Sequence, residues 1–178
     1  MVRRNELAGN RLLLMGSKTY KGKVLPAEVK RHLEEAIARK MTIIVGEAPG
    51  ACRLYQDFLK AKTYRKVVVG HARSMRYNAG NWKTIKYGDD VHERETKMVG
   101  ECDSAIAIWA DNSGVIAENL EVLKNQGKPT FLYEYSSKTN SGESSWANPE
   151  RIYDPYFYMK EDWRKKKESK KRNLSSRK

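Results

Sequence analysis

The sequence predicts an α/β domain with a mostly parallel, five-stranded sheet between two layers of helices. Three observations predict it. The apolar runs are too continuous for half-exposed strands, amphipathic segments separate them, and glycine stands at or just after their ends. Strands buried on both faces read as unbroken apolar runs, and parallel strands need a crossover, usually a helix.

The chain opens on the polar "MVRRNELAGN". "RLLLMG" then reads as a buried strand ending at Gly16, and "SKTYKGK" as a loop. In "VLPAEVKRHLEEAIARK", Val29, Leu33, Ala36 and Ile37 recur at helical spacing. Pro26 suits an early helix position, where a missing N–H costs nothing. "MTIIVG" is a second strand with a glycine-rich exit, and "CRLYQDFLKAK" a helix with Leu54, Phe58 and Leu59 on one side. "YRKVVVG" is a third strand. His71 to Asp90 breaks the pattern, and an irregular insert of that length is usually functional or mobile.

"VHERETKMVGEC" returns to helix and "SAIAIWA" is a fourth strand. "SGVIAENLEVLKNQG" is a helix ending at Gly127, with Ile116, Leu120 and Leu123 toward the sheet. "KPTFLYEY" is the fifth strand. The repeated strand, turn and helix make residues 11–135 a single Rossmann-like, three-layer domain. "SSKTNSGESSWANPE" reads as loop. Residues 136–163 form an aromatic C-terminal extension, and residues 164–178 a basic tail expected to be disordered.

Length and composition bound the function. A chain of 178 residues buries a real core. It has no run of eighteen apolar residues, which excludes a transmembrane helix. The N-terminal apolar run is too short for a signal peptide, so a cytoplasmic protein is expected. Cys52 and Cys102 lie in no CxxC pair, and His32, His71 and His92 are scattered. No metal site and no cofactor are expected. The formal charge is +13. Ten Lys or Arg against three acids from Lys160 to Lys178 place +7 in the tail and +6 elsewhere. Such a surplus favours polyanions or crowded phosphates.

Three strand exits, "MGSKTY", "VGEAPGA" and "WADNSG", carry the candidate site. In an open parallel sheet, ligands bind beyond the carboxyl ends of the strands. Glycine there lets backbone N–H groups approach a ligand, and the following helix begins with unpaired donors that favour phosphate. Gly16, Ser17, Lys18, Gly46, Gly50, Ser113 and Gly114 are the expected phosphate-holding residues, with Arg94 and the His71–Tyr77 loop covering them. "GSKTY" lacks the triphosphatase pattern GxxxxGK[ST], and "GEAPGA" is not GxGxxG. Glu118, just over one helical turn past Ser113, points to sugar chemistry. A carboxylate near an anomeric carbon acts as nucleophile or stabilises an oxocarbenium-like centre. It could equally favour the helix dipole. Asp111 and Asp103 are expected to orient the sugar or assist the leaving base, although both also suit turns and caps. Tyr77 and Trp82 are candidates for stacking on a base.

These residues carry a resemblance over about Leu12 to Tyr133. The chain resembles the Rossmann-like superfamily of lysine decarboxylase-like cytokinin phosphoribohydrolases, DNA-processing protein A-like domains and YspA-like/YpsA-related proteins. "MGSKTY" is similar to the YspA-like Gly-Ser-Arg, with Lys18 at the Arg. "VGEAPGACRLYQDFL" is similar to its "GxAxGAD", with Cys52 at the Asp. "HERETKM" is similar to its "RNxxM", keeping Arg94 and Met98 with Glu95 at the Asn. "CDSAIAIWADNSGVIAENLEVLKNQGKP" resembles the nucleoside 2-deoxyribosyltransferase family, with Val115 at a usual Thr and Asn119 at a usual Gly. There the Glu matching Glu118 is the nucleophile, and the acids matching Asp103 and Asp111 hold or protonate the nucleoside.

The expected function is therefore a nucleotide-binding enzyme that cleaves or transfers an N-glycosidic bond through Glu118. The alternatives are a noncatalytic nucleotide sensor and a nucleic-acid-associated protein using its basic tail for weak, nonspecific contact. A homodimer or larger assembly is expected, held partly by Tyr153, Tyr156, Phe157, Tyr158 and Trp163.

Overall fold

The computed structural model describes residues 5–112 and 114–153. Seven strands form one sheet: β1 (Arg11–Gly16), β2 (Thr42–Gly46), β3 (Val67–His71), β4 (Lys83–Lys86), β5 (Ser104–Ala110), β6 (Thr130–Ser136) and β7 (Ser141–Trp146). Four helices connect them: α1 (Ala27–Ala38), α2 (Ala51–Ala61), α3 (Val91–Glu101) and α4 (Gly114–Asn125). The strand order is β4-β3-β2-β1-β5-β6-β7. All neighbours are parallel except β6 and β7, which form an antiparallel hairpin.

The five expected strands are present as the interior of this sheet. The expected total of five is corrected to seven. β4 lies inside the His71–Asp90 segment and pairs Val68 with Lys83 through His71 with Lys86. β7 lies in the segment read as loop and pairs Phe131 with Trp146 through Ser136 with Ser141. Both are edge strands facing water along one side, so lysine and serine suit them. Exposed lysine also blunts an edge against pairing with another chain.

Side-chain alternation distributes the core. Leu12, Leu14, Ile43, Val45, Ile106 and Ile108 face α1 and α2. Leu13, Met15, Ile44, Ala107 and Trp109 face α3 and α4. Every residue of β5 is buried, as a central strand covered on both faces requires. On α4, Ile116, Leu120 and Leu123 pack down as their spacing predicts. Asp90 caps α3 by accepting from Glu93 N at 2.8 Å, while the Glu93 carboxylate accepts from Asp89 N at 2.9 Å.

Of the five aromatics expected to hold a homodimer, only Tyr153 lies within the described residues. It is 1 % exposed, and its ring packs 5.9 Å from Trp109. Its backbone N–H donates to the Glu121 carboxylate at 2.9 Å. Tyr153 thus closes its own domain. Tyr156, Phe157, Tyr158, Trp163 and the basic tail lie outside the described residues. Among the described residues, no helix is long and apolar enough to cross a membrane.

Candidate functional site

The chain leaves β1 toward β2 on one side, and its later strands build outward from β5 on the other. The carboxyl ends of β1 and β5 therefore flank the switch point of the sheet, where open α/β sheets bind ligands. Ser17 stitches these ends together. Its N–H donates to Ile108 O at 2.9 Å, and its Oγ accepts from Ala110 N at 2.9 Å. The two neighbouring exits pack as closely. A Cβ on Gly16 would stand 2.3 Å from that of Ala51, and one on Gly50 would stand 2.6 Å from the carbonyl oxygens of Ser17 and Lys18. Gly50 also has φ +82°, which L side chains rarely adopt. These two glycines serve loop-to-loop contact as well as the turn.

Beside this seam lies a cleft of about 530 Å³, a size that suits a small organic ligand. Gly16, Ser17, Lys18 and Thr19 form one wall, and Gly46, Ala48, Pro49 and Cys52 another. α3 contributes Arg94, Glu95 and Met98, and α4 contributes Val115 and Ile116. Arg76 reaches in from the loop after β3. A second hollow of about 330 Å³ shares Arg76 and Val91 with the first and adds Glu47, Arg73 and Asp89.

A chain of charge runs beneath the cleft. Glu47, the first residue past β2, is 2 % exposed. It accepts from Arg94 Nη1 at 2.8 Å and from Arg76 Nε at 2.5 Å. Arg94 also donates through Nη2 and Nε to Glu95 Oε1, at 2.6 and 3.2 Å. Glu95 Oε2 in turn accepts from Asn119 Nδ2 at 2.9 Å, tying α3 to α4. The bond to Glu47 raises the Arg76 guanidinium further above its ordinary value. Burial pushes the Cys52 thiol up to about 12, with Glu95 adding to the rise and Arg94 opposing it. Cys52 is thus an apolar wall residue rather than a nucleophile.

The expected site residues divide into two groups. Gly16, Ser17, Lys18, Gly46 and Arg94 meet in the cleft lining, and Gly50 packs directly behind it. Gly114 opens α4 next to the lining residue Val115. Ser113 lies outside the described residues. The remaining candidates stand elsewhere. Glu118 is one turn past Val115, half-exposed, with Oε2 3.6 Å from Nδ1 of the exposed His92. Asp111 has φ 51°, and its carboxylate accepts from Ser137 N at 2.8 Å, anchoring the β6–β7 hairpin. That bond holds the Asp111 carboxyl below its usual range. Asp103 precedes β5, at the opposite end of the sheet. It accepts from Asn10 N and Arg11 N at 2.8 and 2.9 Å, about 20 Å of strand away from the exits.

Neither aromatic candidate faces the cleft. Tyr77 donates its hydroxyl to Asp57 and lies 4.9 Å beneath the Arg53 guanidinium. Trp82 donates Nε1–H to Tyr64 O at 2.8 Å and packs on the α1–α2 core. Sequence reasoning missed Glu47, and it reached Arg76 only as part of the His71–Tyr77 loop. The available signal was a charged residue directly after a buried strand, in the "GEAPGA" exit, where an unpaired carboxylate would be costly.

Comparison with protein-family models, curated proteins and solved structures returned no match. Among the described residues, no group of three or more His, Cys, Asp or Glu could hold a metal ion. The functional reading rests on the chain's own geometry.

Proposed function

We propose that this protein binds a nucleotide or nucleoside phosphate in the cleft beside the β1–β5 switch point. One observation carries the reading. The Ser17–Thr19 turn, Arg76 and the Arg94–Glu95 pair converge on a single cleft whose remaining wall, through Met98, Val115 and Ile116, is apolar. A phosphate suits this end of the cleft, where Lys18 and Arg76 supply positive charge. A base suits the apolar wall, which excludes water from its faces. Such a site accommodates a noncatalytic sensor, since binding needs none of Glu118, Asp111 or Asp103.

A second reading is the cleavage or transfer of an N-glycosidic bond. Glu95 favours it, because it places a carboxylate in the cleft lining. Glu118 would serve as nucleophile only if its side chain left His92 and turned over Val115 into the cleft. Calorimetry with a panel of nucleoside 5′-monophosphates, run with chromatography for released base, separates the two. Saturable binding without base release favours the sensor. Base release that persists in Glu118→Ala removes Glu118 as nucleophile. An absence of binding across the panel, in a folded protein, sinks the nucleotide reading.

A further inference from the structure

We infer that Glu95 selects the sugar of the ligand, accepting a hydrogen bond from a ribose hydroxyl. This deepens the nucleotide reading and rests on it. The support lies in how the carboxylate is held and what it has left to offer. Glu95 Oε1 is filled by two donors of Arg94, and Oε2 receives one from Asn119. An ionised carboxylate has about four lone-pair sites. Among the described residues three are used, so Oε2 retains one acceptor position. The side chain is 13 % exposed, and the residue lines the cleft.

An ionised carboxylate accepts and does not donate. It therefore repels phosphate oxygens and demands an N–H or O–H donor. Phosphate is thereby directed toward Lys18 and Arg76, away from α3. The apolar wall takes the base, and the ribose lies between base and phosphate in every nucleotide. Its hydroxyls are the donors common to all nucleotides whatever the base. Arg94 cannot take this role, because a guanidinium donates and does not accept, and its donors are turned to Glu47 and Glu95. Arg94 is a positioning residue here, and Asn119 is a second one.

The test measures affinities of the full chain for the four ribonucleoside 5′-monophosphates and their 2′-deoxy and 3′-deoxy counterparts. Removing the hydroxyl that Glu95 reads is expected to weaken binding about tenfold or more, since a bond to a charged acceptor is lost. In Glu95→Gln the amide oxygen stays with Arg94 and an NH2 replaces the free acceptor. The discrimination is then expected to shrink to about threefold or less. Equal binding of all three series to the unmodified protein overturns the Glu95 assignment and leaves the nucleotide reading standing. Discrimination that survives in Glu95→Gln also overturns it, and preference among bases that vanishes instead would assign Glu95 to a base amine. No binding in any series removes both readings. Should Glu95→Gln fail to fold, Asn119→Ala releases the same Oε2 and is expected to reduce the discrimination; an unchanged ratio there counts against Glu95.

Discussion

Glu47 and Arg94 form a buried ion pair at 2.8 Å, with side chains 2 % and 4 % exposed. The pair joins the β2 exit to α3 across the base of the cleft. Its partners, Arg76 on one side and Glu95 on the other, reach toward solvent.

Removing one member of such a pair leaves the other charge buried and uncompensated. Glu47→Gln is expected to destabilise the protein by about 3 kcal/mol, the lower end for a broken buried pair, because Arg94 keeps Glu95. Urea unfolding of the two proteins measures it. A loss below about 1 kcal/mol would mean that the pair's attraction barely exceeds the cost of burying it.

Ser17→Ala leaves the buried Ala110 N–H without its acceptor. The expected loss is about 1–3 kcal/mol. Thr19→Ala, two residues along at an exposed position, is expected to stay within about 0.5 kcal/mol. Thermal melting of both variants compares them. Similar losses would show that the turn, rather than the Ser17 hydroxyl, holds the exits together.

His32 is buried on α1 between Phe131, at 4.1 Å, and Trp146, at 5.3 Å. Burial lowers its pKa, against the smaller opposing effect of its bond to Glu35. The unfolded chain therefore takes up this proton first on acidification. The His32 contribution is full above about pH 6.5, the ordinary histidine value, and falls as pH drops from there toward the lowered folded value. Stability curves from pH 8 to pH 5 are expected to show this loss in the wild type and not in His32→Met. Parallel curves would assign the acid sensitivity to other groups.

Both cysteines are buried, with thiols pushed up by burial to about 12 for Cys52 and about 11 for Cys102. Burial disfavours the thiolate of both residues, and thiolate is the reactive form. Titration with an aromatic disulfide reagent is expected to label neither thiol rapidly in the native protein and both at once in guanidinium. A fast stoichiometric phase in the native state would contradict the burial of one of them.

The interior of the sheet was legible because burial on both faces leaves a mark on every residue of a strand. "RLLLMG" and "SAIAIWA" can be little else. The edges were not legible, because "KTIK" and "SGESSW" are half-solvated and bury too little apolar surface to mark the sequence. Residues on the exits were legible for a related reason. A strand end and the turn after it sit at one edge of the sheet whatever the packing, so Gly16, Ser17, Lys18 and Gly46 reach the same cleft.

Side-chain direction and distant pairing belonged to the tertiary structure. α4 buries Ile116, Leu120 and Leu123, and helical geometry then carries Glu118 round to the opposite side, toward His92. Asp103 and Asp111 flank one strand, so their placement at opposite ends of the sheet already followed from reading "SAIAIWA" as a strand. Only their hydrogen-bond partners, Asn10 and Arg11 for one and Ser137 for the other, needed the tertiary structure. The Glu47–Arg94 pair spans forty-seven positions in the chain. Local periodicity reports which face of an element is apolar. It carries no information about which charge on another element will close against it, and that contact forms only when the β2 exit and α3 are packed against the same sheet.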